Sequence, residues 1–421
     1  MLQNLIDKYK KYQNIVLILF LAFVSALKIF FMFNFAFRSD IIDFHYNWCK
    51  YISQHNIFSI YSSEATVGPL SSFPINYPPI FLFLLWPISG LATSVFDSGN
   101  LPLYFFLVKL PIILINTGFS VYLYKKVNKA FGIFWYCNPL FLFDSEIWGQ
   151  TDTLLCIIVI LFVLSITKHE YIKSGVFFAA GCLLKLQMCY LFPVFLVLLF
   201  KSKSIKKIFE SLTIGGAVGV LGWLPFAIYN KDILTPIKLY LGGVTSQTRL
   251  SYNAVNIYAP WATTEIKDIS LFGLPGNILN FLILLLIVIF SSIVLWKAKT
   301  VEKEVAYVCL YLFSIYMLTF SQHERYLIPT TALFALLAFL YNKKHITPLI
   351  TSTLSSMLCM FVVFIGDLTL WDQLSWTPPS WLLVLFNIAF LLSIFSYLYA
   401  IYIIFIREKL TKDRKEEGAA K

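Results

Sequence analysis

Twelve apolar runs, separated by short polar segments, constrain this chain more than any other feature. They cover 15–37, 103–124, 131–143, 153–167, 174–184, 188–200, 208–229, 277–296, 305–320, 327–341, 347–365 and 381–406. About 20 apolar residues in a helix cross the hydrocarbon of a bilayer. Only helices or closed barrels satisfy every backbone group there. Continuous runs without two-residue alternation predict an all-α polytopic membrane protein with about twelve transmembrane helices. Some runs are short. The stretch 174–200 is interrupted by Lys185 and Gln187 and reads as two short helices with the polar break at one surface. The first run follows charged residues Asp7 to Lys11 and is too long for the core of a secretory leader, so it reads as the first span.

Composition agrees. Of 421 residues, 59% are hydrophobic and 13% charged, against about 45–50% and about 25% in soluble domains. This excludes a soluble enzyme, a disordered chain and a nucleic-acid-binding domain, despite the net charge of +11. Seven cysteines show no paired spacing and mostly lie in apolar runs, so they read as small hydrophobes.

Lysine and arginine set the orientation. With the N-terminus inside and alternating spans, 23 of the 33 basic residues fall in inner segments and eight in outer ones. This requires the further apolar run 80–95, which follows Pro78-Pro79 and contains Pro87, to enter and leave on the outer side as a re-entrant or juxtamembrane element. Were it a full span, Lys125, Lys126 and Lys129 would move outside. Lys28 and Lys109 remain within helices. The basic excess is thus mainly a topology signal, with attraction to anionic membrane lipids added. The chain reads as an N-terminal membrane module over 14–200 with its first outer loop at 38–79. A second module over 208–341 carries an outer loop at 230–275. C-terminal helices over 346–406 and a cytoplasmic tail at 407–421 follow.

Acidic residues distribute the other way, with thirteen of 22 outside. The unusual polar clusters share that face. Asp40 and Asp43 follow the first span, and a three-residue spacing would set both on one helix face. A carboxylate there can take a proton from a hydroxyl. Tyr77-Pro78-Pro79 is a rigid turn opening an apolar segment. Between Asp144 and Asp152, three acids with Trp148 and Gln150 can hold sugar hydroxyls by hydrogen bonding and stacking. Asp152 reads equally as the N-cap of the next helix. Arg325 with His323 can clamp a phosphate, with Glu324 fixing the imidazole tautomer. Lys185, between two short helices, needs an anionic partner: a phosphate, Asp144 or Glu146.

These clusters, in this order, resemble the C-superfamily of integral membrane glycosyltransferases, which use a polyprenyl-phosphate sugar as donor. The pattern is similar to that of the dolichyl-phosphate-glucose glucosyltransferases of N-glycan assembly, the first mannosyltransferase of GPI assembly and their bacterial relatives. Asp43-Phe44 matches the family's acidic-aromatic pair after helix one, and Tyr77-Pro78-Pro79 its Tyr-Pro-Pro turn. Trp148 to Asp152 matches the second outer-loop motif, Lys185-Leu186-Gln187 the Lys-x-Gln segment, and His323-Glu324-Arg325 the late His-Glu-basic signature. The matches cover roughly 14–341. They depart at Arg325, where many relatives carry Lys, and at Asp40, which offers a second acid.

The resemblance implies an inverting hexosyl transfer, of glucose or mannose, from a polyprenyl-phosphate sugar to a lipid-linked or glycan acceptor. Asp43 would be the base, and Arg325, His323 and Lys185 would hold the donor phosphate. Asp40, Tyr77, Glu146, Trp148, Gln150, Asp152, Gln187 and Glu324 would bind sugar or acceptor. No cofactor is implied, although the sequence leaves open a divalent ion on Asp43 and Asp152. The site would face the non-cytoplasmic side of a bacterial or archaeal plasma membrane, or of the endoplasmic reticulum in a eukaryote. Two rival classes use related features. An O-antigen-type polymerase or ligase predicts several outer-loop arginines, and a lipid-linked sugar flippase or transporter predicts midplane charges and an internal repeat.

Overall fold

In the computed structural model, which describes residues 2–369 and 379–407, each of the twelve apolar runs is helical. The protein is an all-α polytopic membrane protein, apart from a few two-residue strands. Among the described residues, seven helices are long and apolar enough to cross a membrane: Tyr12–Asn34, Pro79–Asp97, Leu101–Val127, Ile205–Asn230, Gly276–Lys297, Lys343–Leu368 and Ser380–Ile406. Asp152–Thr167, Tyr171–Leu184, Leu186–Lys201 and Ile328–Leu340 are shorter. Asp372 and the tail beyond Arg407 lie outside the described residues.

The shortest helices sit deepest. Asp152–Thr167 and Ile328–Leu340 are buried along almost their whole lengths. Ile205–Asn230 and Gly276–Lys297 instead turn large apolar side chains such as Leu221, Ile228, Phe281 and Leu286 outward, a surface suited to lipid. Close approach depends on small residues. Where Tyr171–Leu184 crosses Ile205–Asn230, a Cβ on Gly175 would lie 2.2 Å from the carbonyl oxygen of Ser211.

The run 131–143, expected as one span, is broken. Lys129–Cys137 ends at Asn138, whose side chain caps Pro139–Leu142, and a π-helical turn Phe143–Trp148 follows. The cause is Pro139, which cannot supply the amide that would continue the helix.

The segment Pro79–Asp97 is long enough to span, yet both its ends rest on one element. Tyr77, just before it, meets Trp48 with ring centroids 5.6 Å apart. At the other end, Phe96 stacks on Tyr46, whose hydroxyl donates to Asp97 at 2.6 Å. Tyr46 and Trp48 are neighbours in the helix Tyr46–Gln54. A 3₁₀ turn at Trp86–Ile88 breaks the segment between. Tyr104, in the next helix, donates to Ile41 O at 2.7 Å, beside the same element.

The loops assigned to the inner face also meet one another. Lys201 bonds Leu295 O, Ala298 O and the Glu304 carboxylate. Lys344 reaches Glu302 at 3.0 Å, and Asn128 donates to Phe339 O.

Candidate functional site

Five separate segments bring the polar clusters together at one end of the bundle. The first contributor is the π-helical turn Ser39–His45, which follows the first helix. A π-helix bonds i to i+5 and has a wider turn than an α-helix. The α-helical geometry expected for Asp40 and Asp43 is thus replaced by a π-helical one, in which the two carboxylates have different partners. Asp40 Oδ2 accepts from Trp148 Nε1 at 2.8 Å and Gln150 Nε2 at 2.6 Å, and lies 3.9 Å from Arg325. Asp43 is only half-buried.

Their acidities diverge. Burial pushes the Asp40 carboxyl up, but Arg325 and the bonds from Trp148 and Gln150 outweigh it and leave it below the usual carboxylate value. Burial raises Asp43; Arg38 partly offsets this and Asp40 adds to the rise.

The turn Phe143–Trp148 supplies the second contributor. It ends at Gly149, which sits at φ +91, a left-handed conformation that glycine adopts without strain. A Cβ there would also meet Ile41 at 2.6 Å. Trp148 is fully buried, stacked on Phe37 at 4.0 Å. Gln150 is bridged to the Tyr-Pro-Pro turn, since Tyr77 Oη donates to its Oε1 at 2.6 Å.

Asp152 opens the buried helix and is not its cap. Thr151 holds the N-cap position without a side-chain bond, while Asp144 Oδ2 accepts from Thr153 N at 2.9 Å. The Asp152 carboxylate is thereby free for Lys185, whose Nζ donates to Oδ2 at 2.6 Å. The partner of Lys185 is thus Asp152, which was not among the three expected, a phosphate, Asp144 or Glu146. Burial pulls the Lys185 ammonium down, but Asp152 and Tyr77 more than offset this, and it stays charged. Gln187 lines a cavity of about 30 Å³ with Asp152, Tyr190, Gln322 and Tyr326.

The last contributor is the connection between Val301–Leu318 and Ile328–Leu340. Arg325 Nη1 donates to Glu324 at 2.7 Å. Its buried Nε lies 3.4 Å from Asp152 Oδ2 but makes no hydrogen bond with the described residues. Its guanidinium sits 5.8 Å from the Trp148 ring centroid. His323 stacks on Tyr252 at 4.8 Å, where two short strands pair the loop 230–275 with this connection. Burial, reinforced by Arg325, lowers His323 to about 3, so it is neutral near pH 7. The expected cationic clamp of His323 with Arg325 therefore reduces, in this state, to Arg325 alone. Glu324 lies 3.9 Å from His323 Nδ1, too far for the tautomer-fixing bond expected of it.

Glu146 lies apart from this group. Its Oε1 accepts from Lys28 Nζ at 2.6 Å and its Oε2 from Ser145 at 2.5 Å. Lys109, fully buried, donates to Phe31 O, Phe35 O and Glu146 O. Sequence reading left Lys28 and Lys109 as lysines within helices. The signal was their cost in an apolar run, which demands a partner. Together they tie the end of the first helix to the turn carrying Trp148 and Gln150.

Arg325 and Lys185, converging on Asp152, form a buried cationic pair that can receive an anion. The half-buried Asp43, three residues after Asp40, is a carboxylate able to accept a proton. Comparison with known proteins identifies the setting. Residues 75–341, more than half of the chain, match the model of glycosyltransferase family 87. Over 207 residues the chain is 26% identical to the dolichyl pyrophosphate Glc1Man9GlcNAc2 alpha-1,3-glucosyltransferase of Chaetomium globosum. That alignment covers 47% of this chain and 41% of the relative, so the chain spans well under two thirds of that protein's length.

Proposed function

The chain belongs to glycosyltransferase family 87, and from that premise we propose that it transfers a hexose, glucose or mannose, from a polyprenyl-phosphate sugar to a lipid-linked or glycan acceptor. The observation that carries this is the buried meeting of Arg325 and Lys185 on Asp152, with the Arg325 Nε donor unsatisfied. A single lipid-linked phosphate supplies the hydrogen-bond acceptor such a donor lacks. Asp43 takes the proton of the acceptor hydroxyl, the oxygen attacks the anomeric carbon, and the lipid phosphate leaves. Attack opposite the leaving group inverts the anomeric centre. Arg325 and Lys185 hold the charge that develops on the phosphate, and His323 adds a neutral hydrogen bond. Trp148, Gln150 and Tyr77 set the position of Asp40, while Gln187 and Glu324 border the sugar.

This reading takes the twelve helical runs as twelve crossings and places the site on the non-cytoplasmic face. The charge split supports it, as do the meeting of the inner loops at one end and the return of Pro79–Asp97 to Tyr46–Gln54. The site draws on both proposed modules, Asp40 to Lys185 from the first and Arg325 from the second. A flippase reading called for midplane charges. Lys28, Lys109 and Glu146 instead meet where the end of the first helix contacts the Phe143–Trp148 turn, and they are consumed in bonds to one another and to backbone. The test is to incubate purified protein with polyprenyl-phosphate-glucose, polyprenyl-phosphate-mannose and a sugar nucleotide, each with candidate acceptors. Consumption of a lipid-phosphate sugar is expected. Turnover of the sugar nucleotide alone would remove the phosphate site from the donor.

A further inference from the structure

The cysteines show no paired spacing, yet two of them meet. The Sγ atoms of Cys182 and Cys189 lie 3.7 Å apart. Cys182 is in the last turn of Tyr171–Leu184. Lys185 then adopts an extended backbone, and the 3₁₀ helix Leu186–Leu191 folds the chain back. The two thiols thus close the base of the turn that presents Lys185 to Asp152 and Gln187 to the cavity. Cys189 is exposed and Cys182 half-buried, whereas Cys49, Cys156, Cys309 and Cys359 are buried. The Cys182 carbonyl accepts from Tyr240 Oη at 2.8 Å, which sets the pair against the outer-loop helix Thr235–Thr245.

We propose that Cys182 and Cys189 are a dithiol that forms a disulfide by exchange with a small-molecule disulfide, stapling the turn that carries Lys185. A disulfide needs its sulfurs about 2.0 Å apart, so the two Sγ atoms, now 3.7 Å apart, must draw together to close it. The Cys189 thiolate attacks one sulfur of the small disulfide, and one small thiolate leaves. Cys182, as thiolate, then attacks Sγ of Cys189 and expels the second small thiolate. The two protons lost by the cysteines end on the two small thiols, so the protein is oxidised by two electrons and the small disulfide is reduced. Oxidants of this class persist on non-cytoplasmic faces. The pairing rests on the proposed function for the importance of Lys185 and for the face on which its turn lies.

The test uses the full chain purified in detergent, exposed to oxidised glutathione, alkylated and mapped by peptide mass spectrometry. An internal Cys182–Cys189 link is expected, and in Cys182→Ser a stable glutathione adduct on Cys189. Hydrogen exchange at amides 183–190 should slow on oxidation and recover with a dithiol reductant. A wild-type Cys189 that stays free or glutathione-bound overturns the pairing. Exchange unchanged by oxidation overturns the staple. Neither readout depends on which sugar donor is used.

Discussion

The indole of Trp148 donates to the carboxylate of Asp40 across 108 residues of sequence, at 2.8 Å. With Gln150 on the same oxygen and Arg325 nearby, Asp40 is held as a stabilised carboxylate and is a poor proton acceptor. Asp43, three residues on, lacks those partners.

Asp43→Asn should therefore collapse turnover by about 10²–10⁴-fold, the usual contribution of a positioned base, while folding and donor binding persist. Asp40→Asn should chiefly loosen Trp148 and Gln150, and so should lower thermal stability as well as rate. Steady-state rates and melting curves on both variants separate the two roles. Full activity in Asp43→Asn with none in Asp40→Asn would move the base to Asp40.

The same contrast predicts a pH profile. A base works when deprotonated, so the rate should rise as pH passes upward through the Asp43 pKa. That limb should sit above the ordinary Asp value of about 3.9, because burial raises Asp43. Asp40, held low, titrates below it. Asp43→Asn should abolish the limb, whereas a limb that survives this substitution belongs to another group.

Donor affinity should divide unequally between Arg325 and His323. Arg325→Ala loses a charge-assisted bond worth about 1.5–3 kcal/mol, or about tenfold or more in donor use. His323→Gln keeps a neutral donor in place of a ring that is already neutral near pH 7, so its effect should be much smaller. Titration of lipid-phosphate sugar against each variant reads this directly, and equal losses would count against a neutral His323.

Lys28 and Glu146 form a buried pair at 2.6 Å. Glu146→Gln strands a buried ammonium and should cost about 3–5 kcal/mol. Adding Lys28→Met should recover much of that loss. Thermal unfolding of the two single variants and the double variant in detergent measures the coupling, and additive losses would deny the pair its importance.

Gly175→Ala places a methyl 2.2 Å from the Ser211 carbonyl oxygen. Overpacking of this kind costs about 1–3 kcal/mol. Gly216→Ala, on the same neighbouring helix but with open space around it, should be near neutral by the same melting assay.

The helices were legible because apolar length is a local property, and so were the motifs, which are contiguous in sequence. Pairings between distant motifs were not. Glu146 reads as part of the Asp144–Asp152 cluster, yet its partner, Lys28, is 118 residues away. Asp152 reads equally as cap and as site residue until the structure shows Asp144 bonding the Thr153 amide. The π-helical turn at Ser39–His45 was hidden too, since α-helical spacing would have set Asp40 and Asp43 side by side. The thiol pair depends on a fold-back at Lys185 that no spacing rule encodes.

The triad of Lys28, Lys109 and Glu146 also bears on the order in which the chain is built. Synthesis runs from the N-terminus, so Lys28 is made 118 residues before Glu146. A lone lysine at the centre of a helix costs about 2.5–3.5 kcal/mol to insert. Lys109 can draw on Phe31 O and Phe35 O, which are already present, but Lys28 must wait for its carboxylate. The first helix therefore gains the anionic partner of Lys28 only once the Phe143–Trp148 turn has been made.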